Sequence, residues 1–377
     1  LITQDVAIGA KLLITFAFHF YNKQCIMQEN KTKEEIIATF NPNAAASAEA
    51  GLFGLPFTAA QSDIIIIPVP WEVTVSFGSG TGIGPMAVEE ASSQIDLYHH
   101  DFPELWKRGI FMDTCPDDMI MLGRKAKDDA QSIIEAIEEG EDISSNSILR
   151  EKQEWVNDAC AMMNAWVKDR AEFWKTQGKL VGLVGGDHSI PLGYIQLQGE
   201  MHNDFGILHI DAHLDLRIAY EGFTFSHASI FYNALEMVPQ ISSIVQVGIR
   251  DYCEQESNYA KENSDRVSVN FERETRKRIF RGENWDQLCR EMVGKLPQKV
   301  HVSVDIDGLD PALCPNTGTP VPGGLQYEEL MHLLNVLKSS GKEIIGFDLC
   351  EVAPGEDGWD GNVGARVLFQ LCGILAG

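Results

Sequence analysis

Three short segments concentrate the residues that could do chemistry: Gly185-Gly186-Asp187-His188-Ser189, Asp211-Ala212-His213-Leu214-Asp215 and Ser303-Val304-Asp305-Ile306-Asp307-Gly308-Leu309-Asp310-Pro311. Each follows or continues an apolar run. In an extended segment residues i, i+2 and i+4 project to one side, so Asp211, His213 and Asp215 are expected to converge, as are Asp305 and Asp307. With His188 the set holds four carboxylates and two imidazoles. Four carboxylates packed without a counter-charge would each drive up the pKa of the others, a strongly unfavourable arrangement. Two divalent cations resolve that conflict. Six ligands exceed what one tetrahedral zinc needs, and an oxygen/nitrogen set without thiolate favours Mn2+ or a similar borderline metal. The expected site is a two-metal centre with bridging carboxylates, suited to activating water. A single Asp at a strand end is most often a cap or turn former, and a lone His a satisfied polar residue. Three such segments, each at a strand end, leave that explanation inadequate, because buried unpaired acids are so costly.

The elements that must position these groups are legible as apolar runs. Ile64–Val69, Leu180–Val184, Phe205–Ile210, Ile244–Gly248, Val300–Val304 and Ile344–Phe347 read as fully buried strands, and 150–177 and 326–340 as helices. Alternating buried strands and helices argue an α/β fold with a parallel sheet covered on both faces. In such sheets ligands bind outside the carboxyl ends of the strands, where all three segments fall. No repeat or low-complexity linker divides the chain, so the division expected is an N-terminal extension, 1–60, and one catalytic domain, 61–377. Gly78-Ser79-Gly80-Thr81-Gly82-Ile83-Gly84 superficially suggests a dinucleotide-binding turn. It begins too far after Val69, and Pro85 suits the first turn of a helix, so it reads instead as a wall of a ligand site. The acidic stretch 116–152 reads as a solvated helix and loop.

Composition bounds the partners. The chain of 377 residues carries 55 Asp+Glu against 30 Lys+Arg, a formal charge of −25, which argues against nucleic acid and suits a cationic substrate or bound metal. Eight cysteines without a CxxC pair indicate a reduced, intracellular protein, placed in the cytoplasm. The apolar opening, 1–26, is too short to span a bilayer and has Lys11 within its apolar run. It is read either as an upstream extension or swapped arm before Met27, or as a weak targeting segment, and no membrane partner is expected.

The three segments, in order and spacing, resemble the ureohydrolase superfamily of arginase, agmatinase and formimidoylglutamase, from about Ile64 to the end of the chain. The resemblance implies a three-layer α/β/α sandwich, a binuclear manganese centre and release of urea from a guanidino compound. By position it assigns His188, Asp211, Asp215 and Asp305 to one metal and His213, Asp211, Asp305 and Asp307 to the other, with Asp211 and Asp305 bridging. His227, in Phe225-Ser226-His227-Ala228-Ser229, matches the family's proton-shuttle histidine, needed because the departing amine must be protonated. Glu351 matches the glutamate that binds the guanidinium, where a carboxylate with bidentate geometry is required. Thr319 matches a loop lining the same pocket. A homotrimer or homohexamer is the family expectation.

Substrate choice stays open between alternatives. Arginases carry Asn where this chain has Arg217, so arginine is disfavoured. Asp215-Leu216-Arg217, Tyr220-Glu221-Gly222 and Ser226-His227-Ala228-Ser229 are similar to prokaryotic agmatinases. Arg217 could instead grip a substrate carboxylate, as formimidoylglutamase or a guanidino-acid hydrolase would need, or simply pair with nearby acids. Residues 27–60 and 112–150 lengthen the chain relative to a plain agmatinase, and an unusual segment, 355–366, contains Trp359. Trp359 could close the pocket around free guanidine, with Ni2+ in place of Mn2+, or serve an interface. Deacylation of the histone-deacetylase type lacks support in the ligand pattern. A non-catalytic assembly subunit is the reading from another class.

Overall fold

The computed structural model describes residues 31–47 and 50–377; the opening segment, 1–26, lies outside them. Eight strands form one sheet: β1 (Ile64–Val69), β2 (Ile110–Met112), β3 (Leu180–Gly185), β4 (Phe205–Ile210), β5 (Ile241–Ile249), β6 (Val267–Phe271), β7 (Lys299–Asp305) and β8 (Glu343–Cys350). Their order across the sheet is β2-β1-β3-β8-β7-β4-β5-β6, and every pairing is parallel. The six expected strands are present. The two missed are edge strands, one of three residues and one mostly half-buried, so neither shows a continuous apolar run.

Both faces of the sheet are covered, and strand alternation shows how. Ile64 and Ile66 of β1 enter one core, and Ile65, Ile67 and Val69 enter the other. Helices α1 (Lys33–Thr39), α2 (Gly84–Ser92), α9 (Trp285–Gly294), α10 (Tyr327–Ser339) and α11 (Trp359–Ala376) cover the first face. The second is covered by α3 (Asp117–Glu138), α4 (Ser147–Thr176), α5 (Leu192–Met201), α6 (Ile230–Met237) and α7 (Glu254–Glu262). One further helix, α8 (Glu272–Phe280), follows β6. The result is a three-layer α/β/α sandwich. Ile36, Leu52, Phe53, Leu55 and Phe57, from the segment before β1, are buried in the first core. No helix among the described residues is long and apolar enough to cross a membrane.

The acidic stretch is more than a solvated helix. Gly123, Ala126, Ala130, Ile133, Ile134 and Ala136 give α3 a buried face against α4, a face that small residues conceal from a hydropathy reading. In turn α4 is anchored to the end of β2. Buried Asp113 accepts the Trp174 indole N–H at 2.6 Å and the Arg170 guanidinium at 2.7 Å. Asp113→Ala leaves both donors unpaired, and a loss of about 2 kcal/mol is expected, measured as an earlier urea midpoint.

Candidate active site

The acids and imidazoles gather at the carboxyl ends of four adjacent central strands, β3, β8, β7 and β4. His188 follows β3, through a bend in which Gly186 is obligatory: a Cβ there would lie 1.8 Å from the Trp71 carbonyl oxygen. Asp187 pins the same bend, accepting from Val73 N at 3.1 Å and Ser189 N at 3.0 Å. Asp305 ends β7 and caps the turn Ile306–Gly308, accepting the Asp307 N–H at 2.8 Å. Asp211 follows β4 immediately, with its N–H still held by Val247 of β5 at 3.0 Å.

The expected extended geometry is corrected here. Residues 211–215 are a loop, not strand, and Asp215 takes a left-handed backbone with φ 54°. Asp307 likewise lies in a tight helical turn. Convergence comes from crossed hydrogen bonds between the loops instead of strand alternation. Asp307 Oδ1 accepts the Ala212 N–H at 3.0 Å, and Arg250 Nη2 donates to the carbonyls of Asp307 at 2.7 Å and Val321 at 2.9 Å.

His188 Nδ1 lies 3.0 Å from Asp211 Oδ2, 3.3 Å from Asp215 Oδ2 and 3.4 Å from Asp305 Oδ2. His213 Nδ1 lies 3.1 Å from Asp307 Oδ2 and 3.4 Å from Asp211 Oδ1. The two oxygens of Asp211 therefore serve two neighbouring clusters, one around each imidazole. Burial pushes Asp215 up to about 7, and the Asp211 charge adds to it. Burial opposes a charged His213, but Asp307 and Asp211 outweigh it and lift the imidazole to about 12.

His188 supplies a test of whether this set fits metal ions. Its Nε2 meets Ser303 Oγ at 2.9 Å, and that hydroxyl donates to Asp348 Oδ1 at 2.7 Å. The serine proton is thus committed to Asp348, so Nε2 carries a proton and Nδ1 is the ring nitrogen left to face the acids. Burial opposes a charge on this ring, but Asp211, Asp215 and Asp305 around Nδ1 hold the imidazole well above its ordinary value, so the position calls for positive charge that either a proton or a cation can supply. A set of buried oxygens and imidazole nitrogens with one carboxylate serving both clusters fits a pair of divalent cations. Ser303, Asp348 and His209, whose Nε2 is 2.8 Å from Asp211 Oδ2, were not expected as site residues. Their one signal is a polar residue inside a buried strand, two positions before a ligand candidate for Ser303 and His209.

A cavity of about 260 Å3 opens onto this centre, lined among others by His227, Arg217, Thr319 and Glu351. Glu351 has φ 64°, and its N–H donates to Gly186 O at 2.8 Å. Its Oε1 accepts the His188 N–H at 2.9 Å, while its buried Oε2 has no partner among the described residues. Burial, then the nearby Asp187 charge, raises Glu351 well above the usual carboxylate range. Gly318 closes over it, since a Cβ there would come 3.1 Å from Oε2. His227 Nδ1 lies 3.4 Å from Thr74 Oγ1, and burial with the positive charge of His213 lowers this imidazole to about 4. Arg217 lies over Tyr220 at 4.9 Å, with Nε 3.7 Å from the buried Glu256 carboxylate.

Trp359 is not among the cavity-lining residues; its indole N–H donates to Ala312 O at 3.0 Å. Its neighbour Asp360 accepts from Asn316 N at 2.9 Å, so the segment 355–366 braces the Thr317–Thr319 wall from outside. The glycine-rich loop contributes no free amide cradle: Glu72 accepts from Gly80 N at 2.7 Å and is itself held by Lys127 of α3 at 2.8 Å. Pro85 does stand in the first turn of α2.

Residues 62–373 match the Arginase family. The chain is 30% identical over 322 residues to N(1)-aminopropylagmatine ureohydrolase of Thermus thermophilus, covering 83% of this chain and 90% of that one. It is 28% identical over 339 residues to agmatinase of Neisseria meningitidis, covering 87% and 94% respectively. The structure of proclavaminate amidino hydrolase from Streptomyces clavuligerus superposes with a TM-score of 0.65 at 22% identity, over 89% of this chain and 99% of that one, which shows the shared fold. The chain belongs to the arginase family. It is a ureohydrolase, a hydrolase acting on guanidino groups.

Metal binding at this centre should release protons. His213 holds its proton up to about pH 12 in the metal-free site and Asp215 up to about 7. A cation must displace them, so its affinity should rise from pH 6 to pH 8. Isothermal titration with Mn2+ in buffers of different ionisation enthalpy measures the release; an affinity independent of pH contradicts it.

Proposed function

We propose that the protein hydrolyses a guanidino compound carrying a cationic tail, with agmatine as the type substrate, to urea and an amine. The observation that carries this reading is Glu351 Oε2, a buried acceptor without a partner among the described residues, on a side chain that lines the cavity beside the acid and imidazole clusters. A guanidinium offers the planar donor pair such a carboxylate accepts, and its charge offsets the cost of the carboxylate's burial. His188, Asp211, Asp215 and Asp305 would hold one divalent cation and His213, Asp211, Asp305 and Asp307 the other. Mn2+ suits this largely oxygen set, with Ni2+ as the alternative. Such ions, when bound, lower the pKa of water enough to make it a nucleophile near neutral pH.

The chain's own residues supply the rest. Glu351, locked by its bonds to Gly186 and His188, orients the guanidinium carbon toward the centre. Water adds to that carbon, the bond to the alkyl-substituted nitrogen breaks, and that nitrogen takes up a proton as it leaves. His227 is placed on the cavity wall to carry that proton.

Charge at the cavity mouth favours a cationic tail. Arg217 is already engaged by Glu256 and Tyr220. Asp251 lines the same cavity and is exposed at its mouth. An anionic tail, as in 4-guanidinobutyrate or formimidoylglutamate, would have to share Arg217 with Glu256 and meet the repulsion of that carboxylate. Free guanidine would leave Asp251 idle.

A urea-release panel over agmatine, guanidine, 4-guanidinobutyrate and arginine, plus loss of formimidoylglutamate, run with Mn2+ and with Ni2+, tests the reading. Agmatine should lead. No product from any guanidino or formimidoyl substrate with either metal overturns the hydrolase reading, and less than one metal per purified chain as well would favour an assembly subunit. Glu351→Gln should lower kcat/KM for agmatine about a hundredfold. Asp251→Asn should raise KM for agmatine about tenfold while leaving guanidine turnover unchanged.

A further inference from the structure

Beneath the ligand cluster lies a second row of polar side chains that the reaction does not use. Gln246, His209, Ser303 and Asp348 stand on β5, β4, β7 and β8, four adjacent strands, and they are in register with one another: His209 pairs with Gln246 and with Ser303, and Ser303 with Asp348. All four are completely buried, at positions where a parallel sheet packed on both faces ordinarily carries Val, Ile or Leu. Such a row is costly unless its hydrogen bonds are fully directed.

The directions follow from one backbone carbonyl. Leu214 O, in the loop between His213 and Asp215, can only accept, so the amide of Gln246 must turn its Nε2 toward it, at 2.7 Å. The same Nε2 is 2.9 Å from His209 Nδ1, which must therefore be the accepting nitrogen of that ring. The ring proton then sits on Nε2, aimed at Asp211 Oδ2 at 2.8 Å. Phe231, with its ring centroid 4.0 Å away, holds the imidazole in place. On the other half of the row, Asp348 takes the Ser303 proton and leaves Ser303 to accept from His188 Nε2.

We propose that this row is a positioning layer for the metal centre, in which Gln246 sets the tautomer of His209 so that it donates to Asp211, and Asp348 through Ser303 sets that of His188 so that Nδ1 faces the cations. The inference rests on the ligand assignment given above, in which Asp211 serves both metals. Gln246 Oε1 has no partner among the described residues, so the amide is held in this orientation at a cost that orientation of His209 explains. Removing a hydrogen-bond partner of a ligand typically weakens metal binding about 10- to 100-fold.

Three variants of the full-length chain test it: His209→Leu, His209→Gln and Gln246→Met. The readouts are Mn2+ affinity by calorimetry and, in the metal-free protein, the ring nitrogen shifts of labelled histidine. His209→Leu should weaken Mn2+ binding about 10- to 100-fold. His209→Gln keeps an N–H at the same reach and should restore most of that loss, which mere filling of the space would not. Gln246→Met, near in size, should leave His209 a mixture of tautomers and weaken Mn2+ binding without abolishing it. Equal affinity in His209→Leu and the unaltered protein overturns the proposal. So does a Gln variant no better than Leu, or an unchanged His209 tautomer in Gln246→Met. Should His209→Leu not fold, the Gln246→Met spectrum decides alone. Tight Mn2+ binding with no urea from any substrate would sink the proposed activity and leave this inference standing; no Mn2+ binding by the unaltered protein would sink the ligand assignment and this inference together.

Discussion

Mutual repulsion among buried carboxylates is the constraint on which the rest of this molecule depends. Asp211, Asp215, Asp305, Asp307 and Glu351 are all buried around the ends of four neighbouring strands. Left alone, such groups would take up protons or force the loops apart. A sheet whose strands are locked on both sides by parallel neighbours, and whose loops are stitched to one another by Asp307 and Arg250, can hold them in place. The compressed arrangement then becomes useful, because its demand for positive charge is met by cations and by a guanidinium.

Much of this was legible in the sequence, and the reasons are local. Four central strands are apolar at most positions, which is what burial on both faces favours, and the ligand candidates begin where those runs stop. Residue type and position relative to the strands were enough to single out the six ligand candidates that the structure brings together. Their geometry was another matter. An alternating pattern in Asp211, His213 and Asp215 suggested an extended segment, whereas the chain turns left-handed at Asp215 and relies on partners remote in sequence. Spacing can announce that residues converge without revealing how.

What stayed hidden was long-range or concealed by neighbours. His209 and Ser303 sit inside runs that read as ordinary buried strand, and only sheet register aligns them with Gln246 and Asp348. The buried face of α3 is built largely of alanine and glycine, so its acidic outer face dominates the composition. Trp359 drew notice as a large aromatic near a functional segment, yet the fold uses it to brace the loop behind Thr319, a contact no local pattern encodes. The glycine-rich loop is explained by Glu72, whose carboxylate takes the amides that a phosphate would otherwise need.

Asp215, Glu221 and Glu351 share one backbone trait, a left-handed conformation that L-residues adopt at a cost of about 1 kcal/mol each. Glycine would carry no such penalty at any of the three. Robustness and activity are therefore set against each other at the level of the main chain. Mutational drift screened only for a folded product would meet a downhill path toward glycine at 215 and 351, and that path removes a carboxylate at each step. A lineage that kept this fold without needing its chemistry would be expected to lose those two acids early.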